Sequence, residues 1–443
     1  MPFVLYLLGL AVFAQGTSEF MLSGLLPDIA RDLHIPIAAA GALTSAFAVG
    51  MVIGAPLLAL LSLRWSRRRA LLTFLVTFLL VHVLGAVTPH YGVLLATRVV
   101  AALANAGFLA VALATATSMA APDAKGRATS VLLGGTTMAC VAGVPAGALL
   151  GELWGWRSAF WAVALVSVPA VLAILWSVPA DPTPRSVEGG PRARTELRAL
   201  RSPRLVVLLL LGALVNGATF CTSTYLAPLV TEVTGFDEGW VPALLALFGL
   251  GAFAGVSTGG RLADARPVRL LVIGGPALLA GWITSALTAG NPVATLVLLF
   301  VQGALSFAVG STLVSQVLYA ATGAPTLGGG FATAALNVGA ALGPWCGGAA
   351  LTAGFGYRAP LWVSALLTAL ALVLAGLART TRPGPVPPRD VRPGQKPVRT
   401  TPRPAPEQRA NRRTADGFGE PPVSPSVTAR WGGAEGRSGG DMR

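Results

Sequence analysis

Runs of about 20 apolar residues recur along the chain from residue 3 to residue 378, separated by short clusters of Arg, Asp, Pro and Gly. Each run is long enough to cross a hydrocarbon core as a helix. Twelve such spans are read, at about 3–27, 39–62, 70–88, 92–118, 128–150, 158–178, 205–230, 240–259, 268–289, 293–317, 327–351 and 359–378. Lipid offers no partner to an unpaired backbone group, so the spans are expected to be helices. The alternation of polar and apolar residues that marks a membrane β-barrel is absent from the sequence. The first span carries Ala11-Val12-Phe13-Ala14, which looks like a signal-peptide cleavage site. It has no basic segment before it and its apolar run continues to Leu26, so it is read as an uncleaved helix.

The pattern repeats. Pro228 follows Pro27 by 201 residues, and Gly217 answers Gly16 at the same offset. Gly143 returns as Gly343, and Gly155-Trp156-Arg157 returns as Gly356-Tyr357-Arg358. The predicted fold is therefore all-α and integral to the membrane, with twelve transmembrane helices in two pseudo-symmetric six-helix bundles. Residues 1–178 form the first bundle, 179–204 a linker, 205–378 the second bundle and 379–443 a tail. Two homologous bundles suit a transporter that binds its substrate between them. The halves differ in detail: Glu19 falls opposite Phe220, and Leu63 opposite Asp264.

Composition narrows the reading. Charged residues make up 11% of the 443, where a soluble protein has about a quarter. The net charge of +14 could suggest nucleic acid, but its distribution argues against that partner. With the N-terminus inside, about 28 of the 32 Lys and Arg fall on the cytoplasmic side, the positive-inside pattern. Both termini are then cytoplasmic. The tail is rich in Pro, Arg, Gly and Ser and is read as a disordered basic segment drawn to anionic lipid heads. Cys140, Cys221 and Cys346 lie inside spans without metal spacing and are assigned to packing. The three histidines form no cluster. No nucleophile–base set, phosphate loop or metal constellation occurs, so no enzyme activity and no cofactor are expected.

Two residues remain charged inside spans: Glu19 and Arg98. A charge at the bilayer centre costs about 2.5–3.5 kcal/mol on insertion scales, so each needs a cavity, a partner or a job. Burial disfavours the charged carboxylate, which suits Glu19 to taking up and releasing a proton during a transport cycle. The competing reading is a fixed hydrogen bond to Thr17, Ser18 or a facing helix. Arg98 can serve the same proton chemistry or simply tie helices together through its guanidinium.

The fifth span contains Gly134, Gly143, Pro145, Gly147 and Gly151; the eleventh contains Gly330, Gly339, Gly343, Pro344, Gly347 and Gly348. Small residues at such spacing let another helix approach closely, and proline kinks the helix. A kinked, closely packed helix at the interface of the halves suits rocking between two states. Arg64, Arg67 and Arg68 in the first cytoplasmic loop, and Asp264 in the loop after the eighth span, are candidates for latching one state. Ordinary topology-setting charge is the competing account of the arginines.

These features together resemble the major facilitator superfamily, over residues 3–378. Gly260-Arg261-Leu262-Ala263-Asp264 is similar to its cytoplasmic loop motif. The glycine pattern at 330–348 is similar to the motif of its drug–proton antiporters, where it is usually described in helix five; helix five here holds the variant Gly143, Pro145, Gly147. Arg98 sits where those antiporters carry an arginine linked to proton transfer, with Ala102 at the usual following Gly. Leu63 and Ala59 depart from the loop motif in the first half. More narrowly, Gly16-Thr17-Ser18-Glu19-Phe20-Met21, Leu25-Leu26-Pro27-Asp28-Ile29-Ala30, the run Ala104-Asn105-Ala106-Gly107-Phe108 and Gly155-Trp156-Arg157 resemble the chloramphenicol-resistance exporters of GC-rich bacteria. The resemblance implies a monomeric exporter in the bacterial inner membrane, driven by proton antiport, with a small-molecule drug, protons and the lipid bilayer as its partners.

A neutral aromatic amide needs apolar and aromatic walls with a few hydrogen-bonding groups. Candidates at suitable depth are Phe13, Gln15, Phe20, Asn105, Phe108, Asn216, Phe220, Tyr225, Asn337 and Trp345. Core or lipid-facing packing competes for each aromatic. Sugar-efflux relatives share part of the first motif, so export of another solute stays open, as does a sensor that keeps the transporter fold.

Overall fold

The computed structural model describes residues 3–62, 65–119, 125–178, 198–321 and 328–380, with some side chains within them left aside, those of 260–265 included. The expected linker segment 179–197, the tail from 381, Leu63 and Arg64 lie outside them. Among the described residues every regular element is helical. The chain runs through α1 (Phe3–Phe20), α2 (Leu22–Asp32), α3 (Ile37–Ser62), α4 (Arg67–Val87), α5 (Tyr91–Met119) and α6 (Lys125–Met138). A π-helical turn at Ala139–Gly143 leads into α7 (Val144–Trp154) and then α8 (Arg157–Ser177). The second half has α9 (Pro203–Thr224), α10 (Leu226–Leu229), a π turn at Val230–Thr234, α11 (Val241–Ala265), α12 (Pro267–Thr288), α13 (Pro292–Ala320), α14 (Gly328–Thr352) and α15 (Ala359–Thr380).

Ten of these segments are long and apolar enough to cross a hydrocarbon core, and α1 with α2 forms an eleventh, bent by 53°. α14, 25 residues long, is not among those apolar enough. At 1.5 Å per residue it reaches about 37 Å; Asn337, Pro344 and its many glycines dilute its hydropathy.

Three expectations change. The first span is two helices. α1 ends at Phe20 and α2 begins at Leu22, with the break at Met21; Pro27 lies inside α2, six residues further on. The seventh span breaks likewise at Tyr225, one turn before Pro228. Each repeated proline lies a few residues after a break. In the fifth span Pro145 has no backbone donor, and the preceding turn widens to a π turn instead of a sharp kink. Third, the motif expected as a loop at 260–265 is the last turn of α11, and the chain turns only at Arg266.

The glycine faces also pack within each half. Gly16 lies on Ala139, Gly143 on Thr17, Gly147 on Met21 and Gly151 on Leu25, so the fifth span holds the first span of its own half. Gly339 and Gly343 lie on the backbone around Gly217, so the eleventh holds the seventh in the same manner. Gly155 and Gly356 start the repeated Gly-aromatic-Arg corners with φ of 79° and 72°, a conformation that carries strain for residues with a Cβ.

Two apolar clusters fill the first half, around Phe47, Phe78 and Phe160 and around Leu8, Phe74 and Phe108. Trp282, Leu244 and Leu278 centre the main cluster of the second half. Between the halves, α3 packs along α14 and α7 against α11.

Candidate functional site

The break between α1 and α2 places polar groups where a straight helix would run on. Glu19 lies two residues before it. The side chain is half-buried and makes no hydrogen bond or ion pair with any described residue. The fixed hydrogen bond that competed for this residue is absent among the described residues: Thr17 Oγ1 donates to Phe13 O at 2.8 Å and Ser18 is engaged elsewhere.

Arg98, 1% exposed, comes from α5 to Ser18. Its Nη1 donates to Ser18 Oγ at 2.8 Å and its Nη2 to Ser18 O at 2.6 Å. The Phe47 ring lies 4.6 Å from the guanidinium carbon, a cation–π contact. Nε keeps no partner among the described residues. Snorkelling toward a membrane surface, one fate for an arginine near a span end, does not occur.

His82 is the polar residue that sequence reasoning passed over. It is fully buried on α4, between Ser18 Oγ at 2.6 Å from Nε2 and Phe78 O at 2.7 Å from Nδ1. A search for histidine clusters misses it; the signal that would have found it is an imidazole in the middle of an apolar span, costly without partners.

A small cavity follows the break on its other side. Phe20 and Phe220 form its floor, with ring centroids 5.6 Å apart. Ser23, Cys140 and Val144 from the first half and Thr219, Ser223, Leu245, Phe248 and Phe307 from the second complete most of its wall. It admits the centres of water-sized molecules over about 40 Å³, room for about three waters. Phe20 and Phe220 come from the two halves and meet there.

The other predicted contacts scatter. Gln15 is 1% exposed and neither polar atom of its amide has a hydrogen-bond partner among the described residues. Asn105 is buried. Phe108 is wholly inside the apolar cluster around Phe74 and Leu8 and does not line this cavity, because its side of α5 faces α4. Asn216 donates to Leu336 O at 2.7 Å and Asn337 to Thr333 O at 3.0 Å, so both amides tie backbone. Trp345 is 62% exposed and points away from the centre.

Tyr225 does not face the cavity either. It donates to Pro344 O at 2.9 Å, and its ring packs on Gly347 and reaches Gly41 of the first half. There it closes one end of the molecule, together with Gly348 against Ala38 and Ser45 Oγ donating to Ala341 O at 2.7 Å. Beyond this closure lies a cavity of about 580 Å³ rimmed by Asp28, Arg31, Glu152, Glu232 and Glu238. Arg31 pairs with Asp28 and lies 3.5 Å from Glu238, joining the halves across its mouth. Of the residues expected to latch, Arg68 donates to Leu175 O at 2.6 Å within its own half, while the side chain of Asp264 is outside the described set.

Comparison with known proteins agrees with this architecture. The family model of the Major Facilitator Superfamily matches residues 8–329. The "Chloramphenicol resistance protein" of Streptomyces lividans is 56% identical over 380 residues, covering 86% of this chain and 97% of the relative. The "Inner membrane transport protein YdhP" of Escherichia coli (strain K12) is 35% identical over 381 residues, covering 85% and 96%. A solved bacterial homolog of the human lysosomal transporter Spinster, in an inward-facing and occupied conformation, superposes with TM-score 0.70 at 18% identity, covering 86% and 97%. The nucleoside transporter NupG superposes with TM-score 0.67 at 14% identity, covering 85% and 98%. At such identity the solved structures speak to the fold alone. This chain, a multi-pass membrane protein of a transporter class and not of an enzyme class, belongs to the major facilitator superfamily.

Proposed function

We propose that the protein exports chloramphenicol across the bacterial inner membrane in exchange for protons, by alternating access, and so confers resistance. The observation that carries the coupling is Glu19: a carboxyl at mid-span, half-buried, without hydrogen bond or ion pair among the described residues, one residue from the Ser18 that holds Arg98. A carboxyl so placed is stable neutral in a closed site and ionised when water enters, so it can carry a proton from one side to the other. The 56% relative supports the substrate. The walls support it as well. Phe20, Phe220, Phe248 and Phe307, with hydroxyls at Ser23, Thr219 and Ser223, suit an aromatic amide alcohol better than a sugar, which needs polar partners around its whole rim.

Residues 1–178 and 205–378 are the two rocking bodies in this reading, joined by the linker 179–204, with the tail 379–443 outside the transport cycle. Both termini are cytoplasmic and the protomer works alone. A drug-sized ligand needs on the order of 300 Å³ or more, so Phe20 and Phe220 part when it enters. The closure at Gly41 and Tyr225 then belongs to the extracellular end.

The test is chloramphenicol accumulation in cells with and without the protein, with and without a collapsed proton gradient. Expression should lower accumulation, and a protonophore should restore it. Equal accumulation with the protein present in the membrane would remove the substrate assignment. Lowered accumulation that persists without a gradient would remove the coupling.

A further inference from the structure

The directions of the hydrogen bonds around Ser18 give His82 a role. Phe78 O can only accept, so the Nδ1 that lies 2.7 Å from it carries a hydrogen. Nε2 of the neutral imidazole is then an acceptor, and Ser18 Oγ lies 2.6 Å from it. Arg98 Nη1 donates to that same Oγ at 2.8 Å. The Ser18 hydroxyl therefore receives from Arg98 and gives to His82, and the chain runs one way, from Arg98 through Ser18 and His82 to Phe78 O.

The arrangement uses a neutral His82. A second ring proton would make Nε2 a donor, so the Ser18 hydroxyl would lose His82 as its acceptor and its oxygen would take both the Nε2 and the Arg98 hydrogens. It would also set a second cation beside Arg98 in a buried site. Among the described residues no anion touches the ring to offset it: α5 presents Arg98, α8 presents the Phe160 ring at 5.8 Å, and α4 itself presents the Phe78 ring at 4.1 Å. Glu19 follows Ser18 in the chain and has no bond to the imidazole.

We propose that His82 is a positioning residue for proton coupling: as a neutral acceptor it orients the Ser18 hydroxyl, and Ser18 holds the guanidinium of Arg98 on itself instead of on Glu19. This rests on the coupling role of Glu19 given above. Arg98 commits Nη1 and Nη2 to Ser18, and its Nε–H remains in reserve. With Arg98 held, Glu19 keeps its proton; when the first span moves relative to α4, the hold loosens and Arg98 becomes available to the carboxylate.

The test uses full-length protein in inside-out membrane vesicles, with two readouts on radiolabelled chloramphenicol. One is accumulation driven by an imposed pH gradient. The other is counterflow at equal pH, which needs no net proton movement. His82→Leu removes the acceptor and should lower driven accumulation about tenfold while counterflow stays within about twofold, as expected for a lost hydrogen bond in a chain ending on a charged group. Ser18→Ala should match it. His82→Gln offers an uncharged amide oxygen near the place of Nε2 and should restore driven accumulation with the wild-type pH profile.

If His82→Gln fails as badly as His82→Leu, the ring itself carries a proton and the positioning role is wrong. If His82→Leu drives normally, or loses both readouts together, the role is wrong as well. Wild type and Glu19→Gln accumulating equally would strike the coupling reading itself, a result independent of any His82 variant, and the positioning role would fall with it.

Discussion

Replacing Gly41 by alanine places a methyl where the Tyr225 ring already stands. A Cβ at this position would lie 2.6 Å from Tyr225 Cζ and 2.8 Å from Cε1, inside any normal carbon–carbon contact. The ring cannot swing clear. Its hydroxyl is held by Pro344 O at 2.9 Å, and Gly347 and Gly348 press on its other edges. The strain therefore falls on the contact between the halves, because α3 and α14 can separate more cheaply than either can deform. Overpacking of a close contact costs about 1–3 kcal/mol. Levied on the closed arrangement alone, that shifts the balance between closed and open ends by about five- to 150-fold. Spin labels at exposed positions 154 and 240, one in each half near this end, report the shift as a longer distance population. In the Gly41→Ala, Tyr225→Ala double variant the methyl meets space, and the longer population should recede, a non-additivity of the same 1–3 kcal/mol. An unchanged distance distribution in Gly41→Ala, with the protein folded, would refute the view that this contact holds the end closed.

Other outcomes are fixed by the same geometry. Glu19→Gln should abolish gradient-driven accumulation of chloramphenicol but leave counterflow, checked in vesicles at equal and unequal pH. Arg98→Lys keeps the charge but cannot hold Ser18 Oγ and Ser18 O with a planar fork; driven transport should fall at least tenfold, roughly one charged hydrogen bond. Gly339→Ala drives a methyl into the backbone of Gly217, with N at 2.8 Å, and should lower stability by about 1–3 kcal/mol, read as a lower Tm in detergent. Arg31→Ala breaks exposed pairs with Asp28 and Glu238, worth about 1 kcal/mol or less, and should leave Tm nearly unchanged.

The spans were legible because each apolar run must satisfy its backbone alone, which only a helix does. Their breaks were partly legible: Pro27 and Pro228 signalled irregularity, but a proline does not say whether its helix kinks, splits or widens. Glu19 and Arg98 stood out because a charge inside an apolar run needs a reason. His82 did not, because its importance lies in meeting Ser18 and Arg98, 64 residues from one and sixteen from the other in sequence. The aromatics were the least legible. Phe20, Phe108, Phe220 and Tyr225 sit in similar apolar stretches, yet the fold sends two to the cavity, one into the core and one to the seam.

The sequence by itself determined that this chain spans a membrane repeatedly, that its two halves repeat, and that a carboxyl and a guanidinium sit where charges are expensive. Those conclusions need only hydropathy, spacing and solvation energy, which act residue by residue. The tertiary structure alone decided which glycine face meets which helix, that the fifth and eleventh spans clasp the first and seventh, and that Arg98 rests on Ser18 while Glu19 makes no hydrogen bond or ion pair among the described residues. Those outcomes depend on helix rotation and on breaks at Met21 and Tyr225. A change of one residue in a helix turns a side chain by about 100°, so the partner of each polar group is settled only when the helices pack.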